Sequence, residues 1–185
     1  MEQNQRETVL LVMDMQSSIL KRLTDAANLI GNVKKAIGLA RERKIPVIYV
    51  VVGFRPGTPE ISSNNKGFMT YKQTQVSGNM DEMIKIHPEL EPMPNEITVI
   101  KRRVSAFSGS DLEVLLRAFS AKNLILSGIA TGGVVLSTLR EAADKDYALT
   151  VLSDCCADTD EEVHRVLTTK VFPRQADVRT VNEWK

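Results

Sequence analysis

The sequence predicts a single-domain α/β protein in which helices cover both faces of a parallel β-sheet. Two observations support this prediction. Short, continuous apolar runs have the length and composition of strands that are buried on both faces. Segments with apolar residues at three- and four-residue steps lie between these runs and are typical of amphipathic helices. Because strands and helices alternate along the chain, we expect one such sheet to accommodate residues 1–185.

The predicted elements follow the apolar pattern in chain order. The predicted strands are residues 8–14, 47–52, 96–100, 123–129, 148–153 and 176–181. The predicted helices are residues 23–44, a helix opened by a capping-box pattern at 110–113, a helix from the fourth strand to about 144, and a helix capped by 159–162. The least regular segment, residues 53–94, holds five of the seven prolines. Long insertions of this kind tend to be lids or binding loops.

Composition and charge restrict the class of partner. The net charge is +1, and 43% of the residues are hydrophobic, as in an ordinary globular protein, so nothing indicates nucleic-acid binding. No apolar run approaches the roughly 20 residues of a membrane span. The polar N-terminus lacks the apolar region of a signal peptide. We therefore expect a cytoplasmic protein that binds a small molecule, with no nucleic-acid or membrane partner.

Metal ions and cofactors are not expected. His87 and His164 are far apart in sequence and belong to no ligand cluster, so no metal site is predicted. The glycines after the fourth strand form no phosphate-loop pattern, so no cofactor is predicted either. Cys155 and Cys156 are adjacent and cannot easily pair as a disulfide. A nucleophilic thiol there would need a base and a lowered pKa, whereas the simpler interpretation is two small buried residues at a strand end.

Three chemical features follow the ends of predicted strands. Asp14 ends the first strand, Lys101 ends the third, and a turn of small residues at 130–134 follows the fourth. Ligands of parallel sheets bind outside the carboxyl ends of the strands. If these strands are neighbours, a carboxylate, an ammonium and unpaired backbone N–H groups share one crevice. Burial would raise the pKa of Asp14 and a nearby lysine would lower it, which suits a general acid or base.

Each candidate residue also has a structural interpretation. Asp14 could cap the helix that follows it. Lys101 could form a solvated rim together with Arg102 and Arg103. Arg55, which follows the second strand, could clamp a carboxylate or carbonyl with its planar guanidinium, or it could be a surface arginine in a loop. Spacing alone leaves these alternatives open.

Together, these segments resemble the isochorismatase-like hydrolase superfamily, which includes isochorismatases, nicotinamidases and N-carbamoylsarcosine amidases. The resemblance extends from residue 8 to about 181. It is carried by Leu-Leu-Val-Met-Asp14-Met-Gln16, by the run 101–112 and by Gly128-Ile-Ala-Thr131. It implies a three-layer Rossmann-like fold with a six-stranded parallel sheet, and an Asp–Lys–Cys triad whose thiolate attacks a carbonyl. Asp14 and Lys101 match the first two members, and the bond between Ala130 and Thr131 matches a non-proline cis peptide at the oxyanion hole.

The sequence departs from this family pattern at the nucleophile. The pattern reads Gly-x-x-Thr-x-x-Cys, and Val134 stands at the cysteine position. The metal-binding histidines of the nicotinamidase branch are also absent from residues 53–65. Isochorismatases likewise lack the cysteine; they cleave a vinyl ether, with the Asp moving a proton and water attacking. The resemblance therefore implies a hydrolase that uses Asp14 and Lys101 without a covalent cysteine intermediate, with Val134 as an apolar wall.

The resemblance also implies a substrate pocket and an assembly. The residues expected to line the pocket are Gln16, Phe54, Arg55, Ala130 and Thr131. Because related proteins commonly assemble as dimers or tetramers, we expect a homodimer or homotetramer. Two alternatives to the hydrolase remain at this point. One is a non-catalytic binding or regulatory protein on the same scaffold, and the other is thiol catalysis by one of the two cysteines.

Overall fold

The computed structural model describes residues 7–74 and 79–184. Its centre is a parallel six-stranded sheet with the strand order β3-β2-β1-β4-β5-β6. The strands are β1 (Thr8–Met13), β2 (Val47–Val52), β3 (Ile97–Lys101), β4 (Asn123–Ile129), β5 (Ala148–Ala157) and β6 (Asp177–Arg179). Helices pack on both faces, so the predicted three-layer Rossmann-like α/β fold is confirmed.

The helices connect successive strands. They are α1 (Ser17–Leu20), α2 (Ala27–Glu42), α3 (Lys66–Thr74), α4 (Met80–Met83), α5 (Leu112–Ala118), α6 (Leu136–Asp144) and α7 (Glu161–Val166). Shorter or irregular helical turns occupy Pro88–Leu90, Thr131–Val135, Leu167–Val171 and Phe172–Arg174. None of the helices described within 7–74 and 79–184 is both long and apolar enough to cross a bilayer.

The two faces of the sheet bury separate apolar clusters. On one face α2 covers β1 and β2 through side chains three or four positions apart, as an amphipathic helix should. These side chains are Leu29, Ile30, Val33, Ala36, Ile37 and Ala40. On the other face α5 and α6 pack on the opposite side chains of the same strands. Their buried residues are Leu112, Leu116, Leu139 and Ala142. The central strands are therefore buried on both sides, which explains their continuous apolar sequences.

Some predicted boundaries were wrong. Helix α2 begins four residues later than predicted, and the segment 53–94 contains α3 and α4 besides irregular backbone. Strand β5 continues beyond its predicted end at residue 153, because its pairing with β4 resumes at Gly128 and Cys156 after an irregularity in register. Asp154 lies in this irregular part of β5, and its Oδ1 accepts a hydrogen bond from the Val181 amide at 2.8 Å, which offsets the cost of a carboxylate in the strand.

The predicted helix caps are shifted by one residue. Asp111, not Ser110, occupies the N-cap of α5 and makes no capping bond with its side chain. Ser110 Oγ donates to the Ala106 carbonyl at 2.6 Å and accepts from the Leu112 amide at 3.3 Å, so it joins the preceding loop to the first turn of α5. Asp160, not Thr159, caps α7 and accepts from two amides of the first turn. A carboxylate is favourable at that helix N-terminus because the free N–H groups carry partial positive charge.

Candidate active site

Asp14 and Lys101 meet at the carboxyl edge of the sheet. Lys101 Nζ lies 2.9 Å from Asp14 Oδ2, and it donates to the Arg103 carbonyl oxygen at 3.0 Å. The two residues are only 2% (Lys101) and 6% (Asp14) exposed. Their strands are not neighbours, because β2 lies between β1 and β3. The long lysine side chain reaches across the end of β2 and brings the ammonium to the carboxylate.

The geometry does not support Asp14 as a helix cap or Lys101 as part of a solvated rim. Asp14 does not cap the following helix, because α1 begins at Ser17 and Gln16 is its N-cap. Asp14 instead takes a left-handed conformation, with φ of 56°, immediately after β1. Lys101 does not belong to a solvated rim, since it is buried against Asp14. A buried pair of opposite charges is costly to desolvate, so it is weak evidence for a stabilising role.

The environment of Asp14 favours its protonated form. Burial raises the pKa of Asp14 to about 6, although the Lys101 ammonium lowers it in part. Asp14 Oδ1 is buried and has no hydrogen-bond partner among the described residues. The Val52 amide is close enough to lower the pKa of Asp14 as well, but its hydrogen bond at 2.8 Å goes to the side chain of Gln16. An unpartnered buried oxygen costs free energy unless a proton or a ligand satisfies it. Asp14 is therefore able to hold or release a proton near neutral pH.

The non-proline cis peptide lies one residue earlier than the resemblance implied. It joins Ile129 to Ala130, and the bond between Ala130 and Thr131 is not the cis bond. The Ala130 carbonyl oxygen accepts hydrogen bonds from the amides of Gly133 and Val135, at 3.0 and 3.3 Å. These contacts occupy two of the N–H groups that were expected to hold an anion. The turn is thus partly closed on itself.

A carboxylate of the chain satisfies a further amide of this turn. The Gly132 amide donates to Asp158 Oδ2 at 2.7 Å. Next to it, Thr131 Oγ1 lies 2.8 Å from His164 Nδ1 and shares a hydrogen bond with it. Burial lowers the pKa of His164, and the Asp158 carboxylate opposes that shift. The chain around the start of α7 therefore fixes the turn. Sequence spacing alone could not indicate these contacts, because the partners lie 26 and 33 residues apart.

Val134 is an apolar wall in this turn. It is 2% exposed and belongs to the same buried cluster as Met13 and Phe107. Its side chain carries no group that could attack a carbonyl or accept a proton. Val134 therefore contributes only apolar surface to the turn.

Gln16 connects β2 to the segment after α4. Its Nε2 donates to the Val52 and Met83 carbonyl oxygens at 3.1 and 2.6 Å, while its Oε1 accepts from the Val52 amide at 2.8 Å. Gln16 also forms an isolated antiparallel bridge with Ile86. Because its side chain is fully buried and its amide is satisfied on both sides, Gln16 holds two walls of the site together.

A cavity of about 670 Å³ opens beside Gln16 and the end of β2. It is lined by Gln16, Ser17, Ser18, Ile19, Lys21, Arg22, Val52, Phe54, Gly67, Phe68, Thr70, Asn79, Glu82, Met83 and Lys85. Asp14 and Lys101 are not among these residues; the residues that connect the cavity to them are Gln16, two positions after Asp14, and Val52, the register partner of Lys101. Phe54 and Phe68 meet edge to face, with ring centroids 5.2 Å apart. Of the residues expected to line a pocket, Gln16 and Phe54 do so.

The other expected pocket residues lie elsewhere. Ala130 and Thr131 do not line this cavity, and Thr131 is fully buried. Arg55 is directed away from it: its side chain is 64% exposed and pairs with Glu60 at 2.7 Å. The structure thus places Arg55 as an exposed loop arginine whose guanidinium is bound to Glu60. A loop glutamate five positions away satisfies its guanidinium.

Arg102 and Arg103 do not face solvent as a charged rim. Arg102 Nη1 donates to the Gly53 carbonyl oxygen, and its Nε lies 3.7 Å from Glu60. Arg103 donates to the carbonyl oxygens of Arg102 and Glu60. These contacts fasten the loop after β2 to the end of β3. Glu60 is the residue that sequence reasoning missed, because nothing in its loop sequence distinguishes it from other surface glutamates.

The thiols and the histidines do not form a second reactive centre. Burial raises the pKa of Cys156 to about 12 and raises that of Cys155 strongly. Both thiols stay protonated at neutral pH, so they are poor nucleophiles and thiol catalysis by either is not supported. Within residues 7–74 and 79–184 there is no group of three or more side chains suited to hold a metal ion.

Comparison with known proteins identifies the family. The model of the isochorismatase domain matches residues 8–183, nearly the whole chain. The chain belongs to the isochorismatase family. An isochorismatase family protein of Bacillus subtilis, YwoC, is 27% identical over 179 residues, with 97% of this chain and 93% of that protein covered. The ureidoacrylate amidohydrolase RutB of Pseudomonas syringae is 31% identical over 170 residues, with 80% and 69% covered.

Solved structures of the isochorismatase family share this fold. A cysteine hydrolase from Pseudomonas syringae pv. phaseolicola superimposes with a TM-score of 0.89 at 22% identity, with 98% of this chain and 92% of that chain covered. At this identity the likeness establishes the fold. In this parallel sheet the carboxyl ends of β1, β3 and β4 lie along the same edge.

Proposed function

We propose that this isochorismatase-family protein hydrolyses a small molecule through Asp14 and Lys101, without a covalent cysteine intermediate. The observation that carries the proposal is the buried ion pair in which Asp14 Oδ1 has no partner among the described residues. In a purely structural ion pair, a buried oxygen without a hydrogen bond would lower the stability of the fold and offer no compensating benefit. A bound water or substrate group would satisfy it during turnover.

In this mechanism water is the nucleophile and Asp14 moves the proton. With an amide or ureide, protonated Asp14 donates to the leaving nitrogen as water adds to the carbonyl carbon and the C–N bond breaks. With a vinyl ether, it protonates the terminal alkene carbon, water adds to the oxocarbenium carbon that results, and the hemiketal breaks into an alcohol and a carbonyl compound. Lys101 stabilises the carboxylate that results and keeps it oriented. Val134 takes no part in bond formation; it excludes solvent from the reacting atoms. The proton returns to Asp14 when the added water loses one of its own.

The kind of bond cleaved can be narrowed by chemistry. RutB of Pseudomonas syringae is a ureidoacrylate amidohydrolase, so ureides and related amides form one substrate class for this chain. Vinyl ethers form the other, because cleavage by proton donation and water attack suits a site without a nucleophile. Gln16 and Phe54 would line the pocket that binds either class.

A substrate panel tests the proposal. Purified protein should hydrolyse at least one member of a set of small amides, ureides and vinyl ethers, and the same preparation carrying Asp14→Asn should not. Release of ammonia, amine or carbonyl product would be followed directly. Tight binding of panel members without any turnover would contradict the proposal and favour a non-catalytic binding protein on this scaffold.

The pH dependence of that turnover should follow Asp14. Because the pKa of Asp14 is raised to about 6 and the protonated form is the proton donor, kcat/KM should fall about tenfold per pH unit above this value. Initial rates between pH 5 and 8 at constant ionic strength measure this profile. A rate that instead increases through pH 6 would identify Asp14 as a base and remove the proton-donor mechanism.

The setting of the protein is also a proposal. We place it in the cytoplasm, as a single isochorismatase-like domain over residues 1–185 that binds a small-molecule substrate without a cofactor or metal. A homodimer or homotetramer is the expected assembly, in keeping with its resemblance to a superfamily of oligomers. Size-exclusion chromatography with light scattering would determine the assembly state.

A further inference from the structure

The Lys101 ammonium is held from two sides, and one of them is a loop. Lys101 Nζ lies 2.9 Å from Asp14 Oδ2 and donates to the Arg103 carbonyl oxygen at 3.0 Å. Arg103 belongs to the segment between β3 and α5, residues 102–111, called the β3–α5 loop below. A lysine ammonium is carried by a flexible four-carbon stem, so its position depends on the groups that accept its protons. The place of the ammonium beside Asp14 therefore depends on the place of the Arg103 carbonyl.

Helix α6 anchors the β3–α5 loop through two hydroxyl groups. The Ala106 amide donates to Thr138 Oγ1 at 2.9 Å, and Ser105 Oγ donates to Glu141 Oε2 at 2.6 Å. Thr138 and Glu141 are three positions apart on α6, so both lie on the face that meets the loop. Thr138 and Ser105 are both buried, so bulk water competes little for either bond. Helix α6 therefore fixes the loop at two successive residues.

Hydrogen bonds within the loop connect this anchor to Lys101. Ser105 Oγ accepts from the Phe107 amide, and the Ser105 carbonyl accepts from the Ser108 amide, both at 3.3 Å. The Ser108 carbonyl accepts from the Arg102 amide at 3.3 Å, so the loop closes on the residue that follows Lys101. The buried Phe107 ring adds apolar contact with the core, which is not directional. The hydrogen bonds to α6 therefore set the orientation of the loop.

We propose that Ser105 and Thr138 are positioning residues for Lys101. By fastening the β3–α5 loop to α6, they place the Arg103 carbonyl so that it holds the ammonium against Asp14. Neither residue lines the cavity of about 670 Å³, so their role is not substrate contact. Their effect on turnover rests on the proposed hydrolase function, whereas their effect on the ion pair does not.

The protonation of Asp14 reports the position of the ammonium without any substrate. Burial raises the pKa of Asp14 to about 6, against the charge and the hydrogen bond of Lys101, which lower it. An ammonium that moves away therefore lets this pKa rise further. Carbon-13 NMR of protein labelled at its aspartate carboxyl groups measures the pKa in a titration from acid to mildly alkaline pH. The spectrum of Asp14→Asn identifies the signal.

Thr138→Val and Thr138→Ser form a matched pair at the buried anchor. Valine keeps the shape of threonine but removes the acceptor of the Ala106 amide, so the pKa of Asp14 should rise by about 0.5–1. Serine keeps the hydroxyl and should leave the pKa at its wild-type value. Ser105→Ala removes the bond to Glu141 and should raise the pKa as Thr138→Val does. It gives the answer if Thr138→Val does not fold.

Ile37→Val is the control for a loss of stability alone. Ile37 is buried in α2, on the opposite face of the sheet from α6. Its shortened side chain should lower the melting temperature and leave the pKa of Asp14 unchanged. An unchanged pKa in folded Thr138→Val or in Ser105→Ala, or an equal rise in Ile37→Val, would overturn the proposal.

Turnover gives a second readout. On a hydrolysed member of the substrate panel, Thr138→Val and Ser105→Ala should lower kcat by about 10-fold with little change in KM, because Lys101 acts as Asp14 gives up its proton. The fall of kcat/KM with increasing pH should also begin at a higher pH, in step with the raised pKa of Asp14.

The two readouts separate this inference from the proposed reaction. If the pKa of Asp14 rises in the variants but no panel member is hydrolysed by the wild type, the reaction is wrong and the positioning role stands. If the wild type and both variants hydrolyse a substrate equally, with the same pKa of Asp14, the positioning role is wrong and the reaction stands.

Discussion

Asp14→Asn should abolish turnover and destabilise the protein, and Lys101→Met should do the same. Asparagine tolerates the left-handed conformation of residue 14, so the backbone is not strained by the first substitution. We expect at least a 100-fold loss of kcat, in the range of about 10²–10⁴ that positioned proton transfer contributes. Each single variant leaves one partner of a buried pair uncompensated, which costs about 3 kcal/mol of unfolding free energy.

The double variant Asp14→Asn/Lys101→Met should regain stability without regaining activity. Removing both charges avoids the desolvation cost, so its unfolding free energy should lie within about 1 kcal/mol of the wild type or above it. Urea denaturation of the four proteins completes this double-mutant cycle. Additive losses of stability, with the double variant the least stable, would show that the two side chains do not interact.

The difference in unfolding free energy between the wild type and the double variant should also depend on pH. The pKa of Asp14 is about 6 in the fold, compared with 3.8 for an ordinary aspartate, so burial disfavours its ionised form. The wild type therefore loses stability as the pH rises between these two values, and it does not recover that stability at higher pH. The double variant lacks this loss. Its advantage over the wild type should accordingly be larger at pH 7 than at pH 4.

Gly128→Ala should be among the most destabilising single substitutions in this protein. Gly128 has a φ of 139°, and a Cβ there would lie 2.1 Å from the Met13 carbonyl oxygen. This atom belongs to rigid backbone, because Met13 and Gly128 are register partners in the centre of the sheet. The strand must shift, so we expect a loss of about 4 kcal/mol or a failure to fold.

A matched glycine in α2 provides the control for that prediction. A Cβ at Gly38 meets nothing within 4 Å, and helical alanine is favoured over glycine. Gly38→Ala should therefore stabilise the fold by about 0.5–1 kcal/mol. Thermal unfolding and the yield of folded protein would measure both variants, so a Gly128→Ala protein that does not fold still gives a result. Equal melting temperatures for the two variants would contradict the argument.

The strand ends were the part of the site that could be predicted from sequence. Asp14 and Lys101 each follow an apolar run, and the carboxyl ends of parallel strands share one edge. The strand order could not be derived in the same way. It places β2 between the two charged residues, so their contact depends on the reach of a lysine side chain. The contact depends on the strand order of the folded sheet, which the local sequence around Asp14 and Lys101 does not indicate.

Contacts made by loops were beyond prediction for a different reason. Glu60 binds two arginines with its single carboxylate, and Asp158 accepts a hydrogen bond from an amide of the turn. The contact of Glu60 with Arg102 and that of Asp158 with the turn join segments that are distant in sequence. An exposed acidic residue in a loop has the same local pattern whether or not it has such a partner. The sequence predicts that the guanidinium of Arg55 could bind a carboxylate of a ligand. In the structure it binds a carboxylate of the chain itself, that of Glu60.

The bridge made by Gln16 has a consequence for substrate length. The Ser17 amide donates to the Lys85 carbonyl and the His87 amide to the Met15 carbonyl, both at 3.0 Å, on either side of Gln16. Lys85 is thereby attached, through backbone, to the segment that directly continues from Asp14. This wall of the cavity is therefore held at a fixed distance from Asp14. Homologous substrates that pack against it and differ by one methylene should then differ in kcat more than in affinity.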